Sequence, residues 1–307
     1  MATHVITRRA YNIMLFIFSK KYPSKKDILE YLKEYKDFDI SIRTLERDFE
    51  RIESDFGIEI KYDKLRNGYK IDEEKSDKVD SFIRFLEIVT VTNIFSDSLK
   101  NNDKLLEYIS FDDSKSFKGI ENLKKIFLAI SQERKLIFNH HSYQKPGLKK
   151  YEIIPLKLKE YENRWYVLGV QCNQSDVWSF GIDRMTELKL GMLNLEKRSF
   201  YKDKLEKYKD ILGVSFELED PKEKVKIELL IDEEHTKYLS SLPLHHSQKI
   251  DSKTENNKQR VRYELIPNYE FKIQILKMGN KAELISPIEL RNDIKRMLED
   301  TLNNYVK

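Results

Sequence analysis

The segment "SIRTLERDFERIESDFG", residues 41–57, sets an arginine at every fourth position, Arg43, Arg47 and Arg51, inside a run whose apolar residues recur at helical spacing. At about 100° per residue, Ile42, Leu45, Phe49, Ile52 and Phe56 fall in one quadrant, the stripe of a helix that faces a core. The arginines lie diametrically opposite, and Glu46, Glu50 and Glu53 form a third stripe between the two. Ser41 can accept hydrogen bonds from first-turn amides, and Gly57 stands where a left-handed residue closes a helix. Arginines at i, i+4 repel by roughly 0.2–0.5 kcal/mol per pair, a cost that a polyanion relieves. On this helix alone two readings stay open: a solvated face in which Arg43 pairs with Glu46 and Arg47 with Glu50, or a surface for an anion.

The flanking sequence favours the second. Upstream, Tyr11, Met14, Leu15 and Phe18 recur at helical spacing, Pro23 stops that run, and Ser24 caps a second helix over "KKDILEYLKEY". Downstream, Ile58, Ile60 and Tyr62 alternate with charged residues, "DKLRNG" makes a turn, and "YKI" returns as a strand, with Asn67-Gly68 expected as the turn pair. Helix, helix, helix, hairpin is the order of a winged helix-turn-helix, whose third helix enters the DNA major groove while the hairpin touches backbone. Arg43, Thr44 and Arg47 are then expected to reach base edges, with Arg51, Lys64 and Arg66 on phosphates. Ser41 and Thr44 can bond phosphate at the helix start. Asp48 is expected to hold a neighbouring arginine.

The 307 residues suffice for two or three domains. Charged residues make up 35% but the net charge is only +4, so any anion site is a local patch. The single Cys172 rules out an internal disulfide framework and is expected to be buried and inert. The apolar stretch "YNIMLFIF" is far short of the ~20 residues that span a bilayer, so a soluble, cytoplasmic protein without membrane contact is expected. No phosphate-binding glycine loop, paired-carboxylate motif or zinc helix is present, and neither enzymatic activity nor a cofactor is expected. His140-His141 and His245-His246 are adjacent pairs on predicted extended or polar segments, where neighbours point apart, and no metal site is read from them.

Beyond residue 72 comes a charged, mostly helical connector, 73–118, expected to break at "SDSLKNNDK". "KGIENLKKIFLAISQERK" forms an amphipathic helix with Ile120, Leu123, Ile126, Phe127 and Ile130 on one side. The strands "LIFNHH", "YEIIPLKLKEY", "RWYVLGVQC" and "VWSFGI" follow, at the spacing of a small barrel. Residues 199–213 read as a surface connection. Then come two strands around "KVKIELLI", a helix near "DEEHTKYLSSL", a polar segment at "HHSQKIDSKTENNKQ", strands in "RVRYELI" and "FKIQILKMG", and a helix from Pro287 to Tyr305. In that last helix Leu290, Ile294, Met297, Leu298 and Leu302 can form either a dimer surface or internal packing.

"NRWYVLG", residues 163–169, with "IIPLKLKEY" upstream and "FGIDRM" downstream, resembles the barrel of the WYL-domain transcriptional regulators. Trp165 and Tyr166 match the family motif, and Leu168 stands one place late. The segment 41–71 resembles the family's winged helix-turn-helix, and "IQILKMGNKAELISPIELRNDIKRMLEDTLNNY" its C-terminal WCX-type extension. The chain departs from the pattern at His140, where an aromatic often stands, and at Tyr151, where an arginine commonly does.

The resemblance implies an α+β, multi-domain chain. It comprises a winged helix-turn-helix over 1–72, the helical connector, a WYL domain over 119–198 built as a small Sm-like or SH3-like β-barrel, and a C-terminal α+β dimerisation domain over 199–307. It implies a ligand-responsive regulator, expected to be a repressor, that acts as a homodimer on a pseudo-palindromic double-stranded operator. The implied effector is a nucleotide or single-stranded nucleic acid, with His140, Tyr143, Lys150, Arg164, Tyr166 and Arg184 as ligand-binding candidates beside Lys149. Trp165 is expected to pack, and Asp183 is as readily an ion-pair partner of Arg184 as a ligand contact. The alternative is a nucleotide- or single-strand-binding module whose head docks to a protein.

Overall fold

The computed structural model describes residues 2–36, 38–72, 79–100, 118–143, 147–172, 174–194, 196, 198–216 and 223–306. Residues 73–78 and 101–117 of the connector, and Lys145 and Pro146 of the KPG turn, lie outside these residues. The chain is α+β and divides into two compact units, Met1–Asp112 and Asp113–Lys307. No helix among the described residues is long and apolar enough to cross a membrane.

The first unit runs α1 (Ala2–Lys20), α2 (Lys25–Lys36), α3 (Ile42–Phe56), β1 (Ile60–Asp63), β2 (Gly68–Ile71) and α4 (Val79–Lys100). α3 starts where Ser41 Oγ accepts the Thr44 amide at 3.2 Å and stops where Gly57, at φ 68°, donates to the Glu53 carbonyl. Leu45 and Ile52 are buried against Ile13, Met14, Ile28 and Leu32, and Phe49 and Phe56 pack at the edge of that core. Ile42, expected in the same stripe, is 53% exposed because it is the first residue of the helix, ahead of the core. α4 runs unbroken through 96–100, the described part of the segment 96–104 in which a break was expected, and its Val79, Phe82 and Leu86 join this core.

The hairpin also differs from expectation. Asp63 pairs with Gly68, so the loop is the four residues 64–67 rather than Asn67-Gly68 alone. Asp63 Oδ1 accepts the amides of Leu65 and Arg66 at 3.0 and 3.1 Å, and Asn67 takes the left-handed φ of 52° that closes the loop. Gly68 opens β2, and it must be a glycine there because a Cβ would sit 1.9 Å from the Tyr22 carbonyl oxygen.

The second unit opens with α5 (Leu123–Ser131) lying on an antiparallel sheet of β3 (Arg134–His141), β4 (Leu148–Tyr161), β5 (Arg164–Gln171), β6 (Val177–Gly181) and β7 (Met185–Leu193), in the order β6-β5-β4-β3-β7. Ile126, Leu136, Phe138, Ile153, Val167 and Phe180 form its core, with Trp165 packed against it. Ile120 and Phe127 are 50% and 62% exposed: Ile120 precedes the helix in a 3-10 turn, and Phe127 lies at the edge of a stripe centred on Ile126 and Ala129.

Residues 198–216 are not a surface connection. Tyr201, Tyr208, Ile211, Leu212 and Val214 are buried, because this segment carries large apolar residues spaced among its lysines. Tyr208 donates its hydroxyl to Val177 O at 2.9 Å and its carbonyl accepts Lys159 Nζ at 2.9 Å. On the other side His245 Nε2 bonds Lys209 O at 2.7 Å, Ile266 N donates to Asp210 O, and Asn268 Nδ2 donates to Leu212 O at 2.6 Å. The segment, which includes the short helix α6 (Lys202–Glu206), is therefore a strap stitched into the sheet before it and the sheet after it.

That last sheet has the order β11-β8-β10-β9, from β8 (Val225–Asp232), β9 (Lys249–Glu255), β10 (Lys258–Leu265) and β11 (Ala282–Ser286), with helices α7 (Glu233–Ser241), α8 (Tyr269–Lys277) and α9 (Ile288–Asn303). "KVKIELLI" is one strand, not two, the polar segment contains β9, and "FKIQILK" is a helix rather than a strand. α8 starts on Asn268, whose side chain accepts the Phe271 amide at 3.2 Å, and buries Phe271 and Ile275 one helical turn apart. Leu290 and Ile294 of α9 are buried, whereas Leu298 and Leu302 are 51% and 61% exposed.

Candidate functional site

Two groups of side chains emerge, one in each unit. In the first, Arg43, Arg47 and Arg51 stand exposed along α3, with Ser41 and Lys64 also exposed and Thr44 half-buried. None of the three guanidinium groups makes an ion pair or hydrogen bond with another described residue. Glu46 is drawn away by Lys25 of α2, which it bonds directly and whose ammonium pKa it raises, so the Arg43–Glu46 pair does not form. Ser41 and Thr44 hydroxyls bond each other at 3.0 Å. Arg66 at the hairpin tip is held: its guanidinium stacks 4.4 Å from the Tyr22 ring centre and donates to the Tyr22 hydroxyl. Lys64 is the free cation of the tip among the described residues.

What fixes the ridge is a contact the sequence did not disclose. Asp48, 240° from Ile42 on the helical wheel and so beside the buried stripe, is only 2% exposed and binds Arg9 of α1 through two hydrogen bonds of 2.5 and 2.8 Å. The expectation of an arginine partner holds, but that arginine comes from α1 rather than from the ridge. Arg8 next to it lies over the Phe38 ring at 4.9 Å, so consecutive arginines clamp the α2–α3 loop and α3. The only sequence signal was an Arg-Arg pair at the start of an apolar helix.

In the second unit the register brings some predicted ligand residues together and separates others. His140 is buried on the inner face of β3 among Phe138, Tyr151 and Phe180, whose rings lie 5.6–6.3 Å away. Burial, then the neighbouring Arg184, lower its pKa to about 4, so the imidazole is neutral at physiological pH. Arg184 lies 4.7 Å over the exposed Tyr143 ring and 3.7 Å from Asp183. Among the described residues, His140 Nε2 and Arg184 Nε are the two buried side-chain nitrogen or oxygen atoms without a hydrogen bond. Tyr166 is half-buried; burial raises its pKa, and the charges of Arg164, Arg184 and Asp183 all reach it. Arg164 is exposed. Lys150 pairs with Asn139 on the opposite face of the sheet, where it lines a cleft of about 240 Å³ with Asn139, Glu187 and Lys189. It is Lys149, opposite His140 and 5.2 Å from the Tyr151 ring, that shares the inner face.

Gly181 makes room for this cluster. A Cβ there would come within 2.6 Å of Asp183 Oδ1 and 2.7 Å of Arg184 Nη2, yet its φ of −65° and ψ of 124° suit any residue. Gly181→Ala is therefore expected to keep the fold, with a melting temperature within about 3 °C of the parent, while displacing Arg184. The Arg184 Nε–H resonance in a nitrogen-15 spectrum checks this: an unshifted signal contradicts it.

Among the described residues no group of three His, Cys, Asp or Glu side chains is placed to hold a metal. Cys172 is partly exposed rather than buried, close enough to Lys135 that the thiol raises the ammonium pKa.

These elements coincide with known domains. Residues 121–190 match the WYL domain and residues 223–302 the WCX domain. The chain thus carries a WYL domain followed by a WCX domain, the arrangement that its sequence motifs resemble. Among solved structures it is similar to proteasome accessory factor B/C (PafBC) of Arthrobacter aurescens, at 15% identity over 97% of this chain and 46% of that one, with a TM-score of 0.30. It is also similar to a CRISPR Cas-related protein, at 15% identity over 98% of this chain and 84% of that one, with a TM-score of 0.40. The chain spans less than half the length of the first. No curated protein matches it.

Proposed function

We propose that the protein is a sequence-specific, double-stranded-DNA-binding transcriptional regulator without enzymatic activity, acting as a homodimeric repressor on a pseudo-palindromic operator. The observation that carries this reading is the unpaired ridge Arg43, Arg47 and Arg51 on a capped helix whose opposite face is buried, followed by a hairpin with Lys64 at its tip. Arg43, Thr44 and Arg47, at the helix N-terminus, reach base edges; Ser41, Arg51, Lys64 and Arg66 take phosphates. One helix and one hairpin supply few phosphate contacts, and a second copy of the head on a repeated half-site is the economical route to useful affinity. The WYL domain senses a nucleotide or single-stranded nucleic acid through His140, Tyr143, Arg164, Tyr166 and Arg184, with Lys149 in place of Lys150.

The test uses the full chain and duplex fragments of its own upstream region. The expected result is binding that weakens steeply as salt rises and exceeds binding to unrelated duplex; equal binding to both overturns the proposal. Arg164→Ala/Tyr166→Ala is expected to leave operator affinity unchanged and to abolish the effect on it of added nucleotides or single-stranded oligonucleotides. A variant that still responds removes these two residues from the sensing role.

A further inference from the structure

Leu65, at the apex of the β1–β2 hairpin, is 99% exposed, although the loop that carries it is held from several sides. Asp63 Oδ1 accepts the Leu65 and Arg66 amides, and the Tyr62 hydroxyl donates to Asn67 Oδ1 across the loop. The Arg66 guanidinium rests on the Tyr22 ring. Tyr22 is set beneath it by a turn in which Lys21 and Tyr22, neither a glycine, take left-handed φ angles of 44° and 66°. The Tyr69 amide donates to the Pro23 carbonyl at 2.8 Å. From α3 to the hairpin, Phe49, Tyr69 and Tyr62 follow ring to ring, each 5.2 Å from the next. The apex therefore has a set place relative to the arginine ridge of α3, and its apolar side chain cannot fold back onto the core.

Lys64 and Arg66 flank this leucine, and both are exposed. Two cations suit the phosphates that border a groove of duplex DNA, and beyond the backbone next to an occupied major groove lies the minor groove, about 6 Å wide. Every base pair carries acceptors on that floor; a G·C pair adds the guanine N2 amino group, a donor. Leucine offers that donor no acceptor, and its methyls need the space the amino group fills. Over an A·T pair neither conflict arises.

Resting on the reading of the first unit as a DNA-binding head, we infer that Leu65 enters the minor groove beside each α3 half-site and selects A·T over G·C there. Lys64 and Arg66 hold the bordering phosphates. The hairpin thus reads sequence as well as backbone.

The test takes a duplex from the protein's own upstream region, with the bound segment located by footprinting. Only the base pairs under the hairpin are changed, to A·T, G·C or inosine·C. Inosine keeps the major-groove edge of guanine and lacks its N2 amino group. The parent is expected to bind the A·T and inosine·C duplexes alike and the G·C duplex roughly tenfold more weakly. Leu65→Ala keeps the Asp63 bonds, which go to backbone amides, and is expected to lose most of that discrimination with an unchanged salt slope. Equal binding of the parent to all three duplexes, an inosine·C duplex that behaves like G·C, or full discrimination by Leu65→Ala overturns the assignment and leaves the regulator reading standing. A parent that does not prefer the upstream duplex to an unrelated one overturns the regulator reading, and this inference with it.

Discussion

Replacing Arg43 and Arg47 together with alanine is expected to abolish operator recognition while the first unit stays folded. If each reads a base, each loses about 1–3 kcal/mol, so the pair costs on the order of 2–6 kcal/mol, roughly 30-fold to more than 10⁴-fold in affinity. Stability should hold, because both side chains are exposed and unpaired among the described residues, and removing like charges on α3 relieves repulsion. Arg51→Ala gives the contrasting outcome: a uniform weakening across sequences and a salt slope shallower by roughly 0.9 per lost phosphate contact. Fluorescence anisotropy at several salt concentrations separates the two. Operator affinity unchanged in Arg43→Ala/Arg47→Ala would falsify the DNA-binding role of α3.

The second large effect lies beneath that ridge. Asp48→Ala leaves the Arg9 guanidinium buried without its partner, and the loss is expected to reach about 3–5 kcal/mol. The pair itself contributes less than this suggests, since taking both charges from water offsets most of their attraction. Arg9→Met/Asp48→Leu, which substitutes apolar volume for both, is therefore expected to unfold near the parent's urea midpoint. Urea titrations followed in the first unit distinguish these variants, and an Asp48→Ala loss below about 1 kcal/mol would show that water reaches the arginine. The double variant also isolates what the charges do for orientation: if α3 keeps its register without them, operator affinity survives.

Much of the first unit was legible because its signals are local. Ser41 and Gly57 bracket α3, and the 3.6-residue spacing of Leu45, Phe49 and Ile52 assigns its inward face without knowledge of the partner. The Arg9–Asp48 contact was not legible, since 39 residues separate the two and nothing local distinguishes a buried carboxylate from a solvated one. α8 was misread for a different reason. Phe271, Ile273 and Ile275 alternate like a strand, while the burial of Phe271, Ile275 and Met278 follows a helix, and the Asn268 cap was the signal that resolves the two. The strap was hidden by its lysines, which mask Tyr201, Tyr208 and Ile211.

The WYL site was half legible. Alternation along β3 separates His140 from His141, but only the register, His140 opposite Lys149 and Asn139 opposite Lys150, shows which lysine shares a face with the imidazole. Register depends on pairing across the intervening turn, and a slip of one residue exchanges the two lysines. Orphan polar atoms are likewise a property of three-dimensional packing alone.

The strap also dictates where this polypeptide can be cut for expression. Its backbone and side chains bond β4 and β6 on one flank and Ile266, Asn268, Glu270 of α8 and His245 on the other. A fragment ending near residue 193 would leave Leu168 and Val177 without Tyr208, and one beginning near 223 would strip the covering from Ile266 and two of the three acceptors, Leu212 O and Ser215 O, from Asn268. The two halves of the carboxyl-terminal unit are best produced as a single piece.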